Sequence, residues 1–368
     1  MKILVVAGAR PNFMKIAPIV RELGERKDSD LSWELVHTGQ HYDYTMSRVF
    51  FDELGLPEPD HFLEAGSGTH AEQTARVMVA FERVCLDAAP DMVVVVGDVN
   101  STLACAVTAK KENIAVAHVE AGLRSRDWTM PEEINRIVTD ALADLLFVTE
   151  PAGRDNLLQE GKPSERILFV GNVMVDTLLF QLERLSGLPV PEGAPRPQGP
   201  YGVVTLHRPS NVDVPDIFQG LVEALGSISK DLPLFYPIHP RARKRIEEFG
   251  LEDRVRDSGI HLLPPLSYMD FLRLWKDAAL VLTDSGGLQE ETTALGIPCF
   301  TLRENTERPV TVDVGSNTLV GTSRDRILAA FARFQAGELK QGKVPELWDG
   351  HAAERIVEAL LKTMGGRG

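Results

Sequence analysis

Cysteine is scarce in this chain. Cys85, Cys105 and Cys299 are isolated, odd in number and form no CxxC pair, which excludes a disulfide framework and leaves no structural zinc pattern. They are expected as buried thiols in a reducing compartment. Long apolar runs are missing too: after Lys2 only Ile3 to Ala7 are continuously apolar before Arg10, too short for a signal-peptide core or a membrane span. A soluble, cytoplasmic protein is therefore expected. Basic charge falls short of acidic charge, with 39 Lys and Arg against 53 Asp and Glu and a net charge of −14. That balance argues against nucleic acid or anionic membrane as the main partner, because both require a broad basic surface that releases counterions. An anionic small ligand remains compatible through a local cluster of positive charge. Finally, neither GxGxxG nor a P-loop nor a metal-ligating cluster is present, so no nicotinamide site and no metal site is expected.

What is present is ordinary globular material, 368 residues of which 43% are hydrophobic and 25% charged, enough for two domains at roughly 150 residues each. Short apolar, β-branched runs alternate with segments of helical spacing. In the first half they are Lys2 to Ala7, Trp33 to His37, Met92 to Val96, Ile114 to Val119, Leu145 to Thr149 and Ile167 to Val170. Such alternation predicts a doubly wound parallel sheet. Between Gly187 and Pro200 five prolines crowd together, namely Pro189, Pro191, Pro195, Pro197 and Pro200. That density forbids a helix and favours an extended connector, so the domain crossing is placed here or slightly before it. The pattern then restarts with Gly202 to Leu206, Leu234 to Ile238, Ile260 to Leu263, Leu280 to Thr283 and Cys299 to Leu302. No repeat of the solenoid kind appears. The fold class expected is α/β, with two Rossmann-like doubly wound domains facing a cleft: residues 1–172, joined by a C-terminal helix 352–368, and residues 173–351.

The stretch from Asp91 to Arg136 organises the first half. It places Asp98 and Glu120 just past two buried-strand runs and Glu132 at a helix start. Ligands of open α/β sheets bind outside the carboxyl ends of the strands, so acids gathered there are candidates for proton transfer. The plainer readings are an N-cap for Asp98 and a first-turn acid favoured by the helix dipole for Glu132. Arg10 and Lys15 lie at or near the first turn of the helix after the first strand, an end that favours anions; the plainer reading there is solvated surface charge. His41 is a lone histidine, more often structural than catalytic.

The second half repeats the arrangement with different chemistry. Strand candidates run into His207-Arg208, into His239-Pro240 and into Asp284-Ser285-Gly286-Gly287. Two glycines at a helix start let backbone N–H groups approach a phosphate, and the helix dipole adds positive potential. Glu291, one turn on, can accept both hydroxyls of a ribose, its alternative being an exposed helix acid. Arg308 lies in a charged loop after the last strand. Together these residues describe a nucleotide-diphosphate site and an acid/base site, for which a nucleotide sugar is the best substrate class.

The segments GARPNFMKIAPI, HTGQHYD, GDVNSTLA, HVEAGLR, MPEEINR, LHR, His239-Pro240, LTDSGGLQEE and ENTERP together resemble, in order and over essentially the whole chain, the non-hydrolysing UDP-N-acetylglucosamine 2-epimerases. The resemblance implies a GT-B-like fold, a homodimer, and reversible interconversion of UDP-GlcNAc and UDP-ManNAc without NAD or metal, by elimination of UDP to a 2-acetamidoglucal and re-addition. By motif match it implies Asp98, Glu120 and Glu132 as acid/base residues, with His207 assisting near the diphosphate. Arg10, Lys15, Arg208, His239, Ser285, Gly286, Gly287 and Arg308 would then hold phosphates or sugar, and Glu291 the ribose. Two departures stand out. Asn12 stands where many members have Glu. The Gln40-His41 pair of members regulated by a second UDP-GlcNAc is followed here by Tyr42, with no arginine in Gly66-Ser67-Gly68-Thr69, which argues against that regulation.

The rivals are a related 2-epimerase acting on UDP-2,3-diacetamido-2,3-dideoxyglucuronate, a GT-B glycosyltransferase, and a silent nucleotide-sugar sensor. Glu307-Arg308-Pro309 favours the GlcNAc enzymes over the first, because an arginine-bearing loop makes a discriminating contact. The carboxylate triad argues against the other two.

Overall fold

The computed structural model describes residues 1–26, 31–39 and 51–365. The chain forms two compact units, Met1–Phe180 together with Glu346–Gly368, and Gln181–Pro345. Both ends of the second unit differ from the sequence-based bounds for local reasons. Helix Val173–Ser186 begins in the first unit, where Thr177 Oγ1 donates to Met14 O at 2.5 Å and Asp176 accepts the N–H groups of Ala352 and Ala353 at 3.2 and 2.7 Å. The division therefore falls inside that helix. At the other end the Trp348 indole N–H donates to Thr149 O at 3.0 Å and ties the stretch before the last helix to the first unit.

The first unit carries a seven-stranded sheet. Its spatial order is β3 (His61–Phe62), β2 (Ser32–His37), β1 (Lys2–Ala7), β4 (Met92–Val96), β5 (Ala115–Val119), β6 (Leu145–Val148), β7 (Ile167–Phe169), and all pairs are parallel. Every residue of β4 and β5 is buried, as parallel strands covered by helices on both faces must be, hence the unbroken valine-rich runs. Helix Asn100–Lys111 packs the small side chains of Ala104, Ala106 and Ala109 against Val93, Val95 and Val116.

The second unit carries six parallel strands in the order β10 (His261–Leu263), β9 (Leu234–Pro237), β8 (Gly202–Thr205), β11 (Leu280–Thr283), β12 (Cys299–Thr301), β13 (Asn317–Leu319). Phe218, Leu221 and Leu225 of helix Pro215–Ile228 pack on Val204, Leu282 and Phe300. In each unit the strand order reverses beside the first strand, between β1 and β4 and between β8 and β11. These are the switch points where the loops part and a ligand finds room.

All three cysteines are buried thiols. Burial pushes Cys85 and Cys299 up to about 12 and raises Cys105 as well. No helix among the described residues is long and apolar enough to cross a membrane.

Candidate active site

In the first unit the acids lie at neighbouring strand ends. Gly97 N–H donates to Val119 O at 3.0 Å, so Asp98 and Glu120 each follow directly on one partner of a shared backbone bond. Glu120 is buried and its Oε1 meets Lys15 Nζ at 2.7 Å; Lys15 is a buried partner rather than a surface charge. A Cβ on Gly97 would stand 2.8 Å from that ammonium, which is one reason glycine is needed there, the other being a φ of +65°. Glu120 itself has a φ of +71°, a left-handed conformation costing an L-residue roughly 1–2 kcal/mol. Strain of this kind persists only where surrounding bonds fix it, and the fixing bonds are visible: Glu120 and Ala121 N–H both donate to Phe147 O, at 3.1 and 3.0 Å.

A second layer lies beneath. His118, fully buried, places Nδ1 at 2.7 Å from Asp140 Oδ1 and Nε2 at 2.8 Å from Gly97 O, while Asp140 Oδ2 accepts the Gly122 N–H at 3.1 Å and pairs with Arg124 at 2.7 Å. Burial pushes Asp140 up, but the His118 ring and the Arg124 guanidinium outweigh it and leave its carboxyl below the usual range. This bridge ties the turn bearing Asp98 to the turn bearing Glu120.

Asp98 is not the N-cap of the helix that follows it. That position is Val99, and Asp98 Oδ2 instead meets Arg136 Nη2 at 2.5 Å while Asn135 Nδ2 donates to Asp98 O at 2.9 Å. Both partners come from helix Pro131–Leu142, whose first turn carries Glu132 and Glu133. Glu133 is buried and structural: it accepts the Ser125 and Arg126 N–H groups at 2.9 and 2.8 Å and pairs with Arg136 Nη1 at 2.8 Å. Glu132, half-buried, lies one turn before Arg136 on the same helix. Asn12 Oδ1 accepts the Gly8 and Ala9 N–H groups at 3.3 and 3.1 Å and its Nδ2 donates to Val96 O at 2.9 Å. A glutamate could not make that donation, so asparagine is built into the turn. Arg10 is the first residue of helix Arg10–Glu25, but its side chain, like Gln40, His41 and Tyr42, lies outside the described residues. The loop Gly66–Thr69 is not without an arginine: Arg76, from the next helix, donates to Ala65 O and Ser67 O at 2.6 and 2.7 Å.

In the second unit Ser285 is the N-cap of helix Gly286–Ala294 and its side chain makes no capping bond. Arg308 lies against the start of that helix, 2.9 Å from where a Gly286 Cβ would be. Arg308 meets Glu290 at 2.9 Å and Glu307 at 3.3 Å, while Arg303 and Arg208 reach Glu307 at 3.0 and 3.6 Å. Burial pushes Glu307 up, but Arg308, Arg303 and Arg208 hold its carboxyl down at about 2. Three guanidiniums against Glu307 and Glu290 leave one surplus positive charge beside a helix amino end, a cradle suited to an anion. Glu291 is no exposed acid: it is buried, accepts the Tyr268 O–H at 2.9 Å, and burial, with Glu290 close by, raises it to about 7. His207 Nδ1 meets the buried Asp284 at 2.8 Å, and the His239 ring lies 5.8 Å from that of His207 between centroids.

Sequence reasoning missed Arg136, His118, Asp140, Asp284, Glu290, Arg303 and Glu307. Arg136 had a signal, being four residues after Glu132 on one helix; Asp284 had the same strand-end position as Asp98. His118, Asp140 and Glu290 act through partners remote in sequence, whereas Arg303 and Glu307 pair at i,i+4 within the charged loop.

Two doubly wound parallel sheets, one with acids at neighbouring strand ends and the other with a cationic cradle, define an α/β protein of the two-Rossmann-unit, GT-B-like class. The chain belongs to the UDP-N-acetylglucosamine 2-epimerase family, whose model matches residues 24–361. It is 42% identical over 366 residues, 98% of this chain and 99% of the relative, to the UDP-N-acetylglucosamine 2-epimerase of Methanocaldococcus jannaschii. It is equally 42% identical, over 98% of its length and 100% of the relative's, to the UDP-2,3-diacetamido-2,3-dideoxy-D-glucuronate 2-epimerase of Pseudomonas aeruginosa. Among solved structures, that of the Methanocaldococcus jannaschii UDP-GlcNAc 2-epimerase in complex with UDP-GlcNAc and UDP superposes with a TM-score of 0.87 at 41% identity, covering 98% of this chain and 100% of that one.

Proposed function

We propose that this chain interconverts UDP-N-acetylglucosamine and UDP-N-acetylmannosamine by elimination and re-addition of UDP through 2-acetamidoglucal. The observation that carries the reading is the pair of acids at adjoining strand ends, each against a buried cation: Glu120 on Lys15 and Asp98 on Arg136. Inverting C2 requires proton transfer on both faces of the sugar, and Asp98, Glu120 and Glu132 supply enough groups. The C2–H electron pair forms the C1=C2 double bond, the C1–O pair leaves on the β-phosphate, and the steps reverse with the proton delivered to the other face. Arg10, Lys15, Arg208, His239, Ser285, Gly286, Gly287 and Arg308 hold diphosphate and sugar. Glu291 takes the ribose hydroxyls, and His207 attends the departing phosphate. Preorganised donors of this kind are worth about 3–4 kcal/mol each to the transition state. A cytoplasmic homodimer needing no cofactor completes the reading.

Purified protein given UDP-GlcNAc alone in D2O is expected to form UDP-ManNAc carrying deuterium at C2. Free sugar as sole product would mean hydrolysis, and turnover only with an added acceptor would mean a glycosyltransferase. The Pseudomonas aeruginosa relative motivates one parallel arm with UDP-2,3-diacetamidoglucuronate. A larger kcat/KM there would move the assignment to that sugar.

A further inference from the structure

We infer that Asp284 is a positioning residue that sets the tautomer and aim of His207 for proton transfer to and from the departing diphosphate. The inference rests on the epimerase reading and deepens it at the same site.

Asp284 directly follows β11, fully buried, and precedes Ser285, the N-cap of the helix that begins the anion cradle. Its carboxylate accepts the His207 N–H at 3.1 and 3.0 Å, the Arg208 N–H at 2.9 Å and Asn211 Nδ2 at 3.2 Å, and it holds His207 Nδ1 at 2.8 Å. The backbone bonds alone would make Asp284 an anchor for the loop, a task an amide oxygen performs as well. The contact to Nδ1 is different. An ionised carboxylate only accepts, so Nδ1 must carry hydrogen, and Nε2 becomes the atom offered outward, bearing a proton when the ring is cationic and a lone pair when it is neutral. Burial pushes the Asp284 carboxyl up, but the His207 ring and the backbone donors outweigh it and keep it below the usual range.

The neighbouring ring is arranged otherwise. His239 Nδ1 accepts the Arg241 N–H at 3.1 Å, so its Nε2 carries the hydrogen of the neutral ring. Burial, then the charge of His207, pushes His239 below its ordinary value. His239 can therefore donate a hydrogen bond but is poorly suited to give up a proton. Beyond Asp284 and His239, the ionisable groups set around His207 are Arg208 next in sequence, Arg241 at His239, and the buried Tyr236 phenol, which donates to Leu206 O at 3.3 Å. Among the described residues Asp284 is the one acceptor at the ring, which leaves His207 Nε2 as the group able to transfer a proton. When the C1–O bond breaks, its electron pair goes to the β-phosphate oxygen, His207 Nε2 gives that oxygen its proton, and the proton returns to Nε2 when UDP re-adds. The C2 proton is handled separately, by the carboxylates of the first unit.

The test is Asp284→Asn in the full chain, with epimerisation of UDP-GlcNAc followed across pH. The amide keeps an oxygen for the backbone N–H groups but turns an NH2 toward Nδ1, favouring the wrong tautomer. The expected result is a fall in kcat of about 100-fold or more, KM within about threefold of wild type, and an alkaline limb of kcat/KM displaced to lower pH. The double variant with His207→Asn should be no slower than His207→Asn alone, because the two residues act as one unit. Multiplicative losses, or an Asp284→Asn kcat within a few-fold of wild type, would overturn the inference. Should that variant fail to fold, 15N shifts of the wild-type ring, assigned with His207→Asn, decide: a neutral His207 protonated on Nε2 refutes it. A wild-type chain that does not epimerise UDP-GlcNAc sinks the epimerase reading instead, which keeps the two failures distinct.

Discussion

Raising the pH from 6 to 8 should strengthen the Glu291 contribution to UDP-sugar binding about tenfold. The buried Glu291 carboxyl is raised to about 7, by burial first and the nearby Glu290 second. Ribose hydroxyls donate to a carboxylate, so only its ionised form serves them, and apparent affinity scales with the competent fraction. With a value near 7 that fraction rises from about one in eleven at pH 6 to about ten in eleven at pH 8, a gain of about 1.4 kcal/mol. Binding at pH 7 should release about half a proton per ligand. UDP-GlcNAc is the ligand to use, because its diphosphate has no free terminal phosphate titrating in this window. The protein should be Asp98→Asn, so that turnover does not intrude. Histidines beside an anion work in the opposite sense, favouring binding at low pH, so the quantity to compare is the difference between this protein and the same protein carrying Glu291→Gln. Calorimetry in two buffers of unequal ionisation enthalpy gives both affinity and proton release. Identical pH slopes with and without Glu291, or identical proton release, would refute the assignment of Glu291 to the ribose.

Other consequences can be measured directly. Asp98→Asn and Glu132→Gln should each slow epimerisation by about 100-fold or more with an unchanged circular dichroism spectrum; normal rates in both would remove their assignment. Glu120→Gln leaves the Lys15 ammonium buried without its partner and should cost about 3–5 kcal/mol in urea unfolding, so a loss under 1 kcal/mol would mean that the pair is not buried as described. Asp176, buried against the first turn of the last helix, is raised to about 6, chiefly by burial. The folded protein thus binds an extra proton between about pH 4 and 6, and this term favours folding at low pH and is lost as pH rises through 6. Lowering pH from 8 to 5 should stabilise wild type by about 1.4 kcal/mol relative to Asp176→Asn; parallel stability curves would show that Asp176 is not the linked group.

The strands were legible because parallel strands buried on both faces are written as unbroken β-branched runs. Met92–Val96 and Leu280–Thr283 carry the same bounds in sequence and structure. Of the four edge strands, His61–Phe62 and Asn317–Leu319 were not legible, the first because two residues show no alternation and the second because Leu319 is its one apolar residue. The site divides in the same way. Asp98, Glu120 and the glycine pair stand at strand ends, so position alone singles them out. Their partners come from elsewhere in the chain: Lys15 is 105 residues from Glu120, Arg136 is 38 from Asp98, and Asp284 is 77 from His207. No local spacing encodes such pairs. The burial that makes Glu291 a weak acid and Lys15 a fixed partner follows from packing, which a linear reading of charged letters cannot supply.

The closing helix Ala352–Gly365 has a bearing on how this polypeptide is made. Its amino end is gripped by Asp176, and Trp348 just before it is bonded to Thr149. On the ribosome, the half synthesised first must therefore wait for the tail before its packing is finished, whereas the contiguous Gln181–Pro345 half holds all its own parts once emerged. Maturation then runs against the order of translation, and a ribosome stalled before Glu346 would release a chain whose Met1–Phe180 part lacks its last packing partner.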